Sequence, residues 1–283
     1  MVLLIKLVVF DLDNVIIDGE AIDEIGKLAN VEEDIAAITE KAMQGEIDFE
    51  TSIKDRVQLL EGTSIEEIEK VADELPLMPG AEDTINGLKE NDIDVAIISG
   101  SFDVVAEKIK DKLGVDAVYT NSFTVEDGKL TGEVTGPLVS GSKLDVLKDH
   151  VEEAGITLDE VVAVGDGAND ISMIESAGCG IAFNAKDSVK EIADIVVEEK
   201  DLDANVVKEI KDKLGEAGKV AQFLDLSVMI KSVASDGAEK ELGTLNVLSE
   251  KIKFTIMVPA ELVKAGREFY VIRVHDGEAE KLE

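Results

Sequence analysis

The chain has 283 residues, 62 acidic against 28 basic side chains for a formal charge of −34, and 45% hydrophobic residues. That balance is globular rather than disordered, lacks the basic footprint that nucleic acid needs, and argues against docking on anionic lipid. The single Cys179 excludes a disulfide framework and any multi-cysteine zinc site, and the length allows one large domain or a domain plus a module.

The apolar run at residues 1–10 carries Lys6 and stops at Asp11, about half the length of a membrane span. It has no small-residue cleavage site, so a cytoplasmic protein is expected. Residues 3–10 read as a strand buried on both faces. Residues 16–76 contain no strand pattern but space Ile22, Ile25, Leu28 and then Val31, Ile35, Ile38 helically, with Ser64 and Glu67 as a capping box. They are expected to form an inserted helical cap.

Alternation resumes beyond the cap. Helices are predicted at 82–90, 103–113, 142–153, 169–177 and 204–214, and strands at 94–98, 161–164, 179–183 and 192–197. Residues 123–134 read as a hairpin turning at Glu126-Asp127-Gly128. This order predicts an α/β fold with a doubly wound, Rossmann-like parallel sheet, its core made of residues 1–15 and 77–215. Three further runs at 224–233, 251–258 and 268–274 predict a small β-rich module over 220–283, to which no motif assigns a role.

Three apolar strands end in polar residues with catalytic potential: Asp11, Ser99 and Asp166. In an open α/β sheet the carboxyl ends of the strands border the ligand crevice, so the three should converge. Clustered carboxylates admit a phosphate only with a cation between them, and hard oxygen ligands suit Mg²⁺. Asp11 and Asp166 are the natural ligands, and Ser99 could donate to a phosphoryl oxygen. On spacing alone Lys143 reads either as a second positive charge or as a solvated helix-start residue.

The run Val8-Val9-Phe10-Asp11-Leu12-Asp13-Asn14-Val15, the pair Ser99-Gly100, Lys143, and Gly165-Asp166-Gly167-Ala168-Asn169-Asp170 followed by Ile171-Ser172-Met173-Ile174 resemble, in order and spacing, the four motifs of the haloacid dehalogenase-like phosphatases. The likeness extends through the cap to the phosphoserine phosphatase branch of that superfamily. It implies a Mg²⁺-dependent hydrolysis of O-phospho-L-serine in which Asp11 is the nucleophile and Asp13 the general acid and base. Asp13 would also lend its backbone carbonyl to the metal, with Asp166 as a further carboxylate ligand. Ser99, Gly100, Lys143 and Asn169 would hold the substrate's phosphoryl end, supported by Asp170. In the cap the resemblance gives Glu20 the substrate amine and Arg56 its carboxylate, while Met43 and Phe49 close over it, with hinges near Gly19 and residues 76–80.

The sequence also departs from the pattern. Asn14-Val15 stands where Ser-Thr or Gly-Thr is usual, Ser101 replaces a second glycine, and Leu144 follows Lys143 where glycine is common. The rival readings are transfer to a small alcohol such as homoserine, hydrolysis of another small phosphomonoester, or a weakened phosphatase fold kept as a binding protein.

Overall fold

The computed structural model describes residues 5–43, 46–199, 224–233, 239–244, 271–275 and 278–282. The chain divides into two compact units, Met1–Ile195 and Val196–Glu283.

In the first unit, β1 (Leu7–Phe10) is buried along its whole length and pairs in parallel with β2 (Asp94–Phe102) on one side and β5 (Val161–Gly165) on the other. Beyond β2 lie β3 (Ala117–Glu126) and β4 (Lys129–Thr135), and beyond β5 lies β6 (Cys179–Phe183), giving the order β4-β3-β2-β1-β5-β6. All pairings are parallel except that of β3 with β4. The chain leaves β1 toward β2 and returns to its other side at β5, so the switch point of the sheet falls at β1. Helices α5 (Ala81–Glu90), α6 (Asp103–Leu113), α7 (Lys143–Ala154), α8 (Ile171–Ser176) and α9 (Asp187–Lys190) alternate with the strands, and β7 (Ile195–Glu199) spans the boundary between the units.

Four helices occupy the insertion after β1: α1 (Ala21–Ala29), α2 (Glu32–Met43), α3 (Phe49–Gln58) and α4 (Ile65–Glu74). Their apolar faces meet in a core that includes Ile25, Ile35, Val57 and Ile68, all fully buried. Each such isoleucine contributes about 1.5–3 kcal/mol. The periodic Leu28, in contrast, is 37% exposed. Ser64 does stand at the start of α4, but its side chain makes no capping hydrogen bond; the side chains that cap are Asp48 for α3 and Ser142 for α7. Two chain segments join these helices to the sheet and run side by side, with Asp18 N–H donating to Pro76 O and Met78 N–H to Ile16 O.

The expected hairpin is present. Asp127 and Gly128 both have positive φ, 49° and 76°, the geometry a two-residue hairpin loop requires. It is also tied to the cap, through Gly62 N–H to Leu130 O and Ile65 N–H to Gly128 O.

In the second unit, β8 (Leu224–Val233) pairs antiparallel with β9 (Glu239–Thr244), and β10 (Val271–His275) with β11 (Glu278–Leu282). The helix predicted at 204–214 and the strand predicted at 251–258 lie outside the described residues. Among the described residues no helix is long and apolar enough to cross a membrane.

Candidate active site

The carboxyl ends of β1, β2 and β5 converge as expected. Asp11 follows β1, and its N–H donates to Val164 O of β5. Its Oδ1 accepts from Leu12 N–H at 2.7 Å and from Lys143 Nζ at 2.8 Å. Lys143 opens α7, where a cation opposes the helix dipole, and it is only 3% exposed, so it needs anionic partners. It finds two: Nζ also lies 2.6 Å from Asp170 Oδ1. Burial works against its charge, but Asp11 and Asp170 outweigh that and raise its pKa. Lys143 is therefore a buried, paired lysine rather than a solvated one.

Asp170 is fully buried. Its Oδ2 accepts from the N–H groups of Asp166 and Gly167 at 3.1 and 3.0 Å. Gly165 makes this possible, since a Cβ there would lie 2.4 Å from the Asp170 carboxyl carbon. Oxygens of Asp11, Asp166 and Asp170 lie within 4.8 Å of one another, an arrangement that suits a divalent cation. Both Asp170 oxygens are already engaged by Lys143 and the two amides, which leaves Asp11 and Asp166 as the better carboxylate donors and Asp170 as their support. Asp166 is pushed up to about 7 by burial, then by the charges of Asp11, Asp170 and Glu20, with Lys143 opposing. Such a crowd of carboxylates is relieved by a proton or by a cation.

Asp13 lies half-buried beside this group, its Oδ1 accepting from Ala21 N–H at 2.8 Å. Burial, then Glu20 and Asp11, hold its pKa well above the usual carboxylate value. Its side chain is not part of the three-carboxylate cluster. Asn169 is exposed in the short turn Ala168–Asp170 that follows Asp166.

At the end of β2, Ser99 is buried and its Oγ accepts from Ser101 N–H at 3.3 Å, which directs its own proton elsewhere. Phe49 of the cap lies over Gly100: its ring edge would be 2.8 Å from a Cβ at that glycine. A cleft of about 280 Å³ opens beside it, lined by Asp48, Phe49 and Glu50 from the cap and by Val139, Ser140 and Gly141 before α7.

Glu20 at the start of α1 and Arg56 in the last turn of α3 sense each other's charge without forming an ion pair. The Glu20 carboxyl is raised by desolvation, then by Asp11 and Asp23, while Arg56 and Asn14 pull it back. Arg56 is 8% exposed and donates from Nε to Ser52 O at 3.3 Å; its other N–H groups make no hydrogen bond among the described residues. The side chain of Met43 lies outside the described residues.

Two residues given no role from the sequence help to build the site. Asn14, with φ 57°, donates to Glu20 Oε1 at 2.9 Å and fixes that carboxylate. Asn121, fully buried, donates to Gly100 O at 3.0 Å and accepts from Leu138 N–H at 3.1 Å, tying the β2 end to the loop that leads to Lys143. No sequence signal marked Asn121, which sits in a mixed polar and apolar stretch of β3.

Comparison with known proteins gives a consistent picture. A haloacid dehalogenase-like hydrolase family model matches residues 5–178. The phosphoserine phosphatase of Methanocaldococcus jannaschii is 46% identical over 207 residues, covering 73% of this chain and 98% of that protein. The phosphoserine phosphatase of Archaeoglobus fulgidus is 41% identical over 67% of this chain, which spans only 55% of that longer relative. A solved structure described as a "Phospho-Aspartyl Intermediate Analogue of Phosphoserine phosphatase" superposes with a TM-score of 0.66 at 45% identity, covering 74% of this chain and all of that one.

Proposed function

The chain belongs to the haloacid dehalogenase-like hydrolases, and from that premise we propose that it is a phosphoserine phosphatase, hydrolysing O-phospho-L-serine to L-serine and phosphate through an aspartyl-phosphate on Asp11. The observation that carries this reading is the buried Lys143, which bridges Asp11 and Asp170 at the strand-end rim. It supplies a positive charge where a phosphoryl group would meet Asp11.

Asp11 attacks phosphorus with the oxygen not held by Leu12 and Lys143, and the P–O bond to serine breaks. Asp13 enters the reaction protonated, as its burial among acidic neighbours favours. It gives its proton to the departing serine oxygen and, then ionised, takes one from the water that hydrolyses the aspartyl-phosphate. Splitting the reaction this way replaces one hard step by two easier ones. Acid–base help contributes only about 10²–10⁴-fold. Accelerations for phosphate monoesters reach the order of 10²¹, so positioning and charge stabilisation by Lys143, Ser99 and the Gly100 N–H must supply most of the rest.

Carboxylates of Asp11 and Asp166, with the Asp13 carbonyl, suit Mg²⁺. When bound, it supplies positive charge to the phosphoryl oxygens. Asp166 must lose its proton to serve as a ligand, which gives the metal response a pH signature. In the metal-free protein its raised pKa means that the folded state holds a proton the unfolded chain has lost. That contribution is fully present below about 4 and is lost as pH rises through about 7. Added Mg²⁺ is therefore expected to raise the unfolding temperature more at pH 8 than at pH 5.5, as read by calorimetry. Equal rises at the two values would contradict it.

Specificity rests on Glu20 for the amine and Arg56 for the carboxylate, with Phe49 over the phosphoryl end. Arg56→Ala is expected to lower kcat/KM for phosphoserine by about tenfold to a hundredfold, the worth of a charge-assisted hydrogen bond. For phosphoethanolamine, which lacks the carboxylate, the loss should stay within about threefold. Equal losses on the two esters would remove the assignment of Arg56.

A further inference from the structure

Among the described residues two buried side-chain oxygens have no hydrogen-bond partner, Ser52 Oγ in the cap and Ser101 Oγ at the end of β2. Ser101 is 5% exposed. A buried hydroxyl without a partner costs about 1–3 kcal/mol, so its persistence calls for a reason.

The backbone around Ser101 is irregular. The register of β2 against β3 slips between Ile98, opposite Tyr119, and Phe102, opposite Asn121, so that Ser99, Gly100 and Ser101 together face Thr120 alone. Bulges of this kind redirect side chains beside active sites. This one is pinned, since Ser101 N–H donates to Ser99 Oγ and Asn121 Nδ2 donates to Gly100 O. The hydroxyl therefore cannot find a partner through a small backbone shift. Its neighbour is Asp13, whose charged form it favours as a weak donor, although the two do not reach normal hydrogen-bond geometry.

We propose that Ser101 is a further catalytic residue, whose hydroxyl donates a hydrogen bond to the ester oxygen of the bound phosphomonoester as that oxygen departs. The inference rests on the phosphatase reading. An ester oxygen is a weak acceptor in the ground state and becomes a strong one as the P–O bond lengthens, so the contact strengthens toward the transition state. Asp13 delivers the proton to the same oxygen; Ser101 transfers none and only stabilises the negative charge that develops before the proton arrives. The hydroxyl that is unsatisfied in the ligand-free protein is satisfied by the departing group.

The test compares Ser101→Ala and Ser101→Gly with the unmutated protein on two esters, phosphoserine, whose alkoxide leaves poorly, and p-nitrophenyl phosphate, whose phenolate leaves well. Loss of the contact is expected to lower kcat/KM for phosphoserine by about tenfold or more. For p-nitrophenyl phosphate, whose departing oxygen needs little help, the loss should stay within about threefold. The ligand-free unfolding temperature of Ser101→Ala should rise, because an unpaired buried hydroxyl has been removed. Equal losses on both esters, or no loss on either, would overturn the proposal, and the ratio of the two losses remains readable even in a variant of lowered stability. The phosphatase reading fails separately, if the unmutated protein releases phosphate from neither ester.

Discussion

Asp11→Asn is expected to abolish phosphate release, by on the order of 10⁴-fold or more, while the protein stays folded. The amide keeps an acceptor for Leu12 N–H and nearly the same volume, and Lys143 retains Asp170 at 2.6 Å. Removing the Asp11 charge also eases repulsion on Asp13 and Asp166, both of which it pushes upward. The unfolding temperature should therefore be close to that of the unmutated protein or above it. Calorimetry alongside a phosphate-release assay checks both halves, and activity within tenfold of the unmutated protein would refute Asp11 as the nucleophile.

Lys143→Ala should be worse for the fold than for any single catalytic step. It removes the one cation shared by two carboxylates that are 5% and 0% exposed. Breaking a buried pair by deleting one partner costs about 3–5 kcal/mol, because the charge left behind is uncompensated. The loss should be largest above about pH 6, the value to which Asp170 is already raised with Lys143 in place. It should shrink as pH falls and the stranded carboxyl takes up a proton, since the variant's raised folded pKa favours the protonated native state. Urea unfolding at two pH values reads this directly. A midpoint unchanged at neutral pH would mean that the lysine is solvated after all.

The parallel core was legible because its strands are buried on both faces and announce themselves as short apolar runs. The strand over Cys179–Phe183 and the helix over Asp103–Leu113 were read to the residue. The parallel half of β3, from Ala117, was not: Val118-Tyr119-Thr120-Asn121 alternates without a clear apolar face, and only the hairpin after it carried a turn signal. The capping-box pattern at Ser64 marked the right boundary for the wrong reason, since no side-chain bond forms there. Strands β9 and β11 of the second unit were missed because Glu239–Thr244 and Glu278–Leu282 are short and rich in charge.

The site divides in the same way. Convergence of Asp11, Ser99 and Asp166 followed from strand ends alone, because one rule of sheet topology places all three. Lys143 could not be decided from spacing, since its burial depends on Asp170, 27 positions further on, and on Asp11 from another strand. Glu20, Phe49 and Arg56 came from resemblance, and nothing in a helical repeat sets apart the residues that face a cleft. Asn14 and Ser101 stood out only as departures. What they do depends on neighbours across the site: Asn14 holds Glu20, and Ser101 lies next to Asp13.

The most direct measurement is mass spectrometry of the protein quenched in acid at millisecond intervals during turnover of phosphoserine with Mg²⁺. A phosphoryl group on the peptide containing Asp11, appearing before free phosphate and absent in Asp11→Asn, is the predicted result. Phosphate released at the full rate while Asp11 stays unlabelled at every quench time would contradict it.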